Sequence, residues 1–513
     1  MQTKGIIPNT LAFVFVLLGL LVGGGSAGGG SIQEEVMQKP WFEMRSGNFH
    51  LYSCAATQTV LEVARRLDQF RTAYGELAGW QAIANPPIVV MVYPDLPSMW
   101  AFGHMAQHGT QATTNYDGVF YGDGEENMIV LVANLDRAGS MDTVFHEYAH
   151  LLLRHNAVYW PTWLAEGMAE IYATMETNDH EVRIGRPRES RFQTLSHTPL
   201  MPLSRLLAVK QDSPEYTDAE KGGIFYAQSW LLAHYLMFGG SAHYKRRFPM
   251  LTTLLRQGQG SEEAFVNAFG TRLPVMEKQL GDYLASGKFG GVTNHLKSDL
   301  AALRPSATRT LSKAEVCFRL GNQLLRAQRL DDAESWFEKA RGFAPRGALP
   351  SAGLGLVAAR RRKPAEAVRL LEEAIQRGMD NYLVYFTCGK ERYLMTASTD
   401  GESFRPLPRD VAAEIRGRLQ KSITLMPLFG QAHYWLGFLE MVQGENLVAA
   451  EQQFQSAVQL DPQDQWYLLP LADTQFRRQN KKLARQTLEP LLRPSVPANL
   501  RHDAEELLQR IAR

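Results

Sequence analysis

The stretch HEYAHLLLRHNAVYWPTWLAEGMAE, from His146 to Glu170, decides how the chain is read. His146 and His150 stand four residues apart with Glu147 beside the first, and Glu166 and Glu170 repeat that spacing downstream. On a helix, residues four apart lie one above the other, with Cβ atoms about 5–6 Å apart. Two imidazoles so placed can aim nitrogens at one point, at the short Zn–N distance of about 2.0–2.1 Å. Ser140 or Asp142 can cap this helix, and Val144, Phe145, Tyr148, Ala149, Leu151, Leu152 and Leu153 supply its apolar surface. Glu147 is rotated off the ligand line but near enough to reach a water on the metal, which is the mechanical content of HExxH. The bland alternative is a partly buried helix with two satisfied histidines.

A zinc site built from two histidines needs a third protein ligand and an open position. Residues Asn156 to Pro161 break the first helix, and Pro161 or Thr162 starts a second. Glu166 then falls in the first turn of the second helix, where a helical hairpin can return it to the metal. Glu170, one turn later, is placed to accept the other ring N–H of His146 or His150, a partner that metal-bound histidines almost always have. The expected metal ligands are therefore His146, His150 and Glu166, with Glu170 as the orienting group. The reverse assignment of the two glutamates is the alternative.

Upstream, the period mixes strand and helix. NFHLYS (48–53) alternates as a strand does, and residues 57–77 carry Val60, Leu61, Ala64, Leu67, Phe70 and Tyr74 at helical spacing. IVVMVY (88–93) and MIVLVAN (128–134) are short apolar runs. The histidine helix is thus expected to pack beside a small sheet. Asp117 to Gly122 reads as a hairpin at the cleft edge.

Beyond Leu311 the strands give way to a repeat. Gly321, Ala333, Phe337, Ala340 and Pro345 recur 34 residues on as Gly355, Ala367, Leu371 and Ala374, with Met379 in place of the proline. The pattern returns at Ala450, Phe454, Ala457 and Pro462, and again at Ala484, Leu488 and Leu491. Leu419, Ser422 and Pro427 read as half of another copy, after an insertion near residues 396–408. Small residues where two helices cross, with this period, resemble the tetratricopeptide (TPR) repeat, whose helix pairs bury their apolar sides only by stacking. Residues 500–513 would cap the stack.

HExxH followed by WLxEGxAE resembles the gluzincin metallopeptidases, in particular the peptidase MA-like group often joined to TPR repeats. The likeness covers about residues 47–284 and includes IFYAQSWLLAHYL (224–236). It implies an α+β zincin-like domain followed by an all-α TPR solenoid. It also implies a Zn²⁺ cofactor held by His146, His150 and Glu166, with Glu147 as general base. By position in the similar segment, Tyr226 is the catalytic candidate for donating to the oxyanion; its neighbours Phe225, Trp230, Leu231 and Tyr235 equally fit a tyrosine that only packs. His234 and Tyr235 are poorer candidates. The GxMEN segment of zinc aminopeptidases is absent, since Glu125-Glu126-Asn127-Met128 does not match it. That absence argues against simple aminopeptidase action.

The organisation expected is a signal peptide or N-terminal anchor at 1–27, a linker at 28–45, the metallopeptidase-like domain at 46–290, a linker at 291–310, and repeats at 311–513. The segment 11–22, LAFVFVLLGLLV, is unbroken by charge and follows Lys4, so the rest of the chain is expected to be exported, periplasmic or secreted, with a membrane tether if the segment is not cleaved. Lys plus Arg (54) nearly cancels Asp plus Glu (53), which gives no electrostatic basis for nucleic acid as a partner. The basic run Arg360–Lys363 reads as a solvated turn. Three cysteines with no CxxC pair exclude a disulfide framework. His104 and His108, four apart among glycines, read as a loop near the cleft. The expectation is a zinc-dependent peptide hydrolase whose repeats recruit a protein substrate or partner. The alternatives are a TPR interaction scaffold with a silent metal domain, and hydrolysis of a non-peptide amide.

Overall fold

The structure, a computed structural model, describes residues 29–79, 87–103, 118–122, 124–134, 139, 141–156, 160–217, 219–399, 405–493 and 496–513. The segment expected to direct export (1–27), the His104 and His108 pair and the cap candidate Ser140 lie outside them, as does the side chain of His155. Among the described residues no helix is long and apolar enough to cross a membrane.

Helix α1 (Gly29–Gln38) leads into a hairpin of β1 (Phe42–Ser46) and β2 (Phe49–Ser53). Then come α2 (Thr57–Ala78), β3 (Ile88–Tyr93), α3 (Leu96–Trp100), β4 (Gly118–Gly122) and β5 (Asn127–Val132). The deciding stretch folds as α4 (Asp142–Asn156) and α5 (Thr162–Ala173). A small sheet begins with β6 (Glu176–Thr177) and β7 (Glu181–Ile184). Short helices α6 (Glu189–His197), α7 (Leu203–Ala208) and α8 (Pro214–Thr217) precede α9 (Ala219–His234), α10 (Ala242–Arg256), α11 (Ser261–Phe269) and α12 (Leu273–Ser286). Two more strands, β8 (Val292–His295) and β9 (Arg309–Thr310), close this part.

The main sheet runs β4-β5-β3-β2-β1-β9. Strands β2, β3 and β5 are mutually parallel, with Leu51 opposite Val90 and Val90 opposite Ile129. Strand β4 is antiparallel to β5 and forms one edge. The run IVVMVY is apolar throughout because both faces of β3 are covered, as parallel strands require. Ile88, Val90 and Val92 join α2, α4, α5 and α9 in one core. Val89, Met91 and Tyr93 join a second core with α13 and its successors.

Those successors form helix pairs: α13 (Lys313–Arg326) with α14 (Leu330–Phe343), α15 (Ala348–Arg360) with α16 (Pro364–Gln376), and α17 (Tyr382–Thr399) with α18 (Arg409–Leu425). Next come α19 (Gly430–Gln443) with α20 (Leu447–Leu460), and α21 (Leu468–Arg477) with α22 (Lys481–Leu488), before α23 (Ala498–Ala512) packs on the last pair. A capping box between Ser312 and Glu315 starts the stack. Small residues mark the crossings as the period predicts: a Cβ on Gly321 would come within 2.7 Å of the Phe337 ring. The chain is thus a mixed α/β part joined to an all-α TPR-like stack. First helices of successive pairs pack on one another, α13 on α15 and α15 on α17, so they line one common face.

Both expected linkers carry structure instead. Within 28–45 lie α1 and most of β1, and Trp41 is buried with its indole N–H on the Val36 carbonyl. Within 291–310, β8 pairs with β7 and β9 pairs with β1. Both segments are polar enough to read as connectors, but β1 pairs inside the main sheet and β8 and β9 each form a sheet edge. The reading of Arg360–Lys363 as a solvated turn holds for Arg361 to Lys363, which join α15 to α16 with Arg362 and Lys363 exposed, whereas Arg360 ends α15 with its guanidinium on Glu125, 2.6 Å away.

Candidate metal centre

The centre is assembled by the α4–α5 hairpin. Phe145 stacks on Phe70 of α2 with ring centroids 4.4 Å apart, and Tyr148 meets Phe49 of β2 edge-on. These contacts fix the rotation of α4, so its polar stripe faces α5. There Nε2 of His146 lies 3.1 Å from Nε2 of His150. Glu166 Oε2 lies 3.1 Å from Nε2 of His150 and 3.3 Å from Nε2 of His146. Zinc bonds of about 2.0–2.1 Å at tetrahedral angles set ligand atoms about 3.3 Å apart. The near-equilateral triangle of two imidazole nitrogens and one carboxylate oxygen therefore fits a zinc ion. With both ring nitrogens presenting lone pairs, these are three acceptor atoms converging in a buried place, which a cation would balance. His146 and Glu166 are enclosed, while His150 keeps 17% of its side chain exposed, so the triangle opens towards solvent on that side.

Electrostatics within the triangle agree. Burial disfavours the Glu166 carboxylate, but His150 and His146 outweigh it and hold the group far below the usual carboxylate range. Burial likewise disfavours a charged His150, and Glu166 outweighs it, lifting the ring to about 9. Glu147 is 7% exposed, and burial raises its pKa against the pull of His146 and His150. A buried carboxylate whose proton affinity is raised is suited to trading a proton.

Glu170 sits one turn beyond Glu166 with Oε1 3.5 Å from Nδ1 of His146, so the orienting contact goes to the first histidine. Its strongest partners are residues that sequence reasoning missed. Arg191 Nε donates to Oε1 at 2.8 Å, and Arg188 Nη1 lies 3.7 Å away. Burial opposes its charge, yet Arg191 and Arg188 hold Glu170 down at about 2. Arg188 also donates to Thr143 of α4 at 3.0 Å, tying the loop before α6 to the histidine helix.

Tyr226 lies on α9 beside the centre, with its ring 4.9 Å from the Arg191 guanidinium and its pKa raised by burial and by Glu166. A second tyrosine, Tyr216 of α8, is the one whose hydroxyl donates to Glu166, at 3.0 Å to Oε1, and it is also a hydrogen-bond partner of Tyr226. No periodicity marks Tyr216, which sits in a four-residue turn. Placement of α9 depends on the glycine of WLAEGMAE. A Cβ on Gly167 would meet the Ser229 carbonyl oxygen at 2.5 Å, so α5 and α9 touch backbone to backbone there. His234 is remote from this chemistry in kind. It packs against Trp230, Phe238 and Phe289 and shares a 2.9 Å hydrogen bond with the Tyr283 hydroxyl.

Family models give no match to the chain. Curated proteins give none either. Solved structures similar to it are TPR proteins. YrrB, described as a TPR protein with an unusual peptide-binding site, is 19% identical, with a TM-score of 0.31 over 38% of this chain and 92% of its own. A thermophilic TPR protein of Thermus thermophilus, TTC0263, is 17% identical, with a TM-score of 0.29 over 38% of this chain and 99% of its own. PilF of Pseudomonas aeruginosa is 19% identical, with a TM-score of 0.30 over 39% of this chain and 82% of its own.

Proposed function

We propose that the chain is a zinc-dependent peptide hydrolase of gluzincin type. The observation that carries this reading is the triangle of His146, His150 and Glu166 with Glu147 beside it. A zinc ion held there by His146, His150 and Glu166 would supply Lewis acidity for the scissile carbonyl and would lower the pKa of a water far below its bulk value. Glu147 takes the proton of the attacking water and delivers it to the leaving amine. Tyr226 donates a hydrogen bond from its hydroxyl to the developing oxyanion, while Tyr216 and Glu170 hold Glu166 and His146 in register. A peptide fits this cleft better than a small amide because β4 ends the main sheet, with no strand paired to its outer edge among the described residues. An extended chain can add to such an edge. The same centre could hydrolyse another amide, and a peptide library with small amide controls separates the two.

The second reading is a TPR interaction scaffold whose metal domain is silent. It rests on the helical stack, the kind of architecture that the similar solved structures share. Zinc content and hydrolysis of the full chain discriminate. Wild type is expected to hold one zinc per chain. Glu166→Ala loses it, and Glu147→Gln keeps it while losing hydrolysis by about 10²–10⁴-fold. A Glu147→Gln variant as active as wild type, or a wild type inert on the whole library, leaves the scaffold reading standing.

A further inference from the structure

The turn between β4 and β5 is bound by the helical stack as a peptide would be. Glu125 Oε2 accepts from Arg360 of α15 at 2.6 Å, and its other oxygen lies 3.4 Å from Lys390 of α17. The Glu125 carbonyl accepts from the Tyr382 hydroxyl at 2.8 Å. Glu126 Oε2 accepts from Asn322 of α13 at 2.8 Å, with Arg326 Nε 3.5 Å away. Gly124 lies against Gln431 of α19. Four successive first helices thus each place a side chain on one acidic turn. Glu125 and Arg326 are 7% and 4% exposed, so the charges meet out of water.

The turn is also continuous with β4, and β4 lies against α4. A Cβ on Gly118 would meet Val144, two residues before His146, at 2.7 Å. We propose that Glu125 and Glu126 make this turn an exchangeable ligand of the helical stack. An acidic peptide from outside competes for the same face and, by lifting the turn, loosens β4 at the metal cleft. The binding part of this proposal is independent of hydrolysis. A tethered ligand acts at an effective concentration in the millimolar range, so an outside peptide must be abundant or the turn weakened.

The probe is a labelled synthetic peptide with the sequence of residues 120–128, measured on the full chain by fluorescence anisotropy. Binding to the Glu125→Gln, Glu126→Gln double variant is expected to be at least about tenfold tighter than to wild type, and adding Arg360→Glu abolishes it. Equal affinity for wild type and double variant, no binding to either, or indifference to Arg360→Glu overturns the proposal. A measurement without any variant runs alongside: saturating peptide on wild type speeds amide hydrogen exchange at residues 118–122 and leaves 162–173 unchanged. Unchanged exchange at 118–122 under saturating peptide overturns the link to the cleft.

Discussion

At the scale of single residues, spacing and contact carry different information. His146, Glu147 and His150 were readable because helical geometry forces residues four apart onto one line. Glu166 and Glu170 were readable because a broken helix returns along itself. Tyr216, Arg188 and Arg191 reach the centre from the loops and short helices after β7, and nothing periodic ties them to it. His234 shows what burial alone does to a histidine. It is 1% exposed, and burial pulls it down to about 4. Its ordinary value of about 6.5 returns on unfolding, so the unfolded chain binds the proton more readily. The stabilisation is complete above about pH 6.5 and is lost as pH falls through 4, at most about 3 kcal/mol in all. Replacing His234 with Phe should flatten the urea-unfolding stability between pH 6.5 and 4, with little change at pH 8. A slope equal to that of wild type would contradict this account.

At the scale of elements, length decided legibility. Long helices and the five- and six-residue strands β2, β3 and β5 were visible in the sequence through their alternation or their apolar runs. Strand β9 is two residues long and carries no period, so the polar segment around it read as a linker. The hairpin strand β1 was missed although Phe42-Glu43-Met44-Arg45 alternates as a strand does and Met44 is buried. Helix contact also explains the glycine of WLAEGMAE, which sequence spacing left unassigned. Gly167→Ala must push α9 away from α5, an overpacking expected to cost about 1–3 kcal/mol. The displacement also moves Tyr226 relative to Glu166. The expected outcome is a lower melting temperature together with reduced hydrolysis at unchanged zinc content. Wild-type stability in Gly167→Ala would show that the helices have room to spare.

At the scale of the molecule, the sheet belongs to both halves. Ile88, Val90 and Val92 face the metal-bearing helices, while Val89, Met91 and Tyr93 face the stack, where the Tyr93 hydroxyl donates to Gln323 at 2.6 Å. No sequence pattern announces this, because a doubly covered strand reads the same whichever element covers it. Truncation after residue 310 should therefore expose one whole face of the sheet. The fragment is expected to aggregate or bind a hydrophobic dye, whereas the full chain melts with both halves together. A soluble, well-folded fragment 29–310, seen by sharp amide dispersion in NMR, would refute the shared core.

The stack's far end is built differently. Leu469, Ala472, Ala484, Leu488, Leu491, Leu500, Ala504, Leu507 and Ile511 form a small apolar cluster of their own, apart from the one that reaches the sheet. Heat or tension applied at the C-terminal side consequently has a seam to act on along α21, whose Leu471 stays with the larger cluster, and once the Arg493–Gln257 hydrogen bond opens α22 and α23 can peel back while the strands and the metal ligands stay undisturbed.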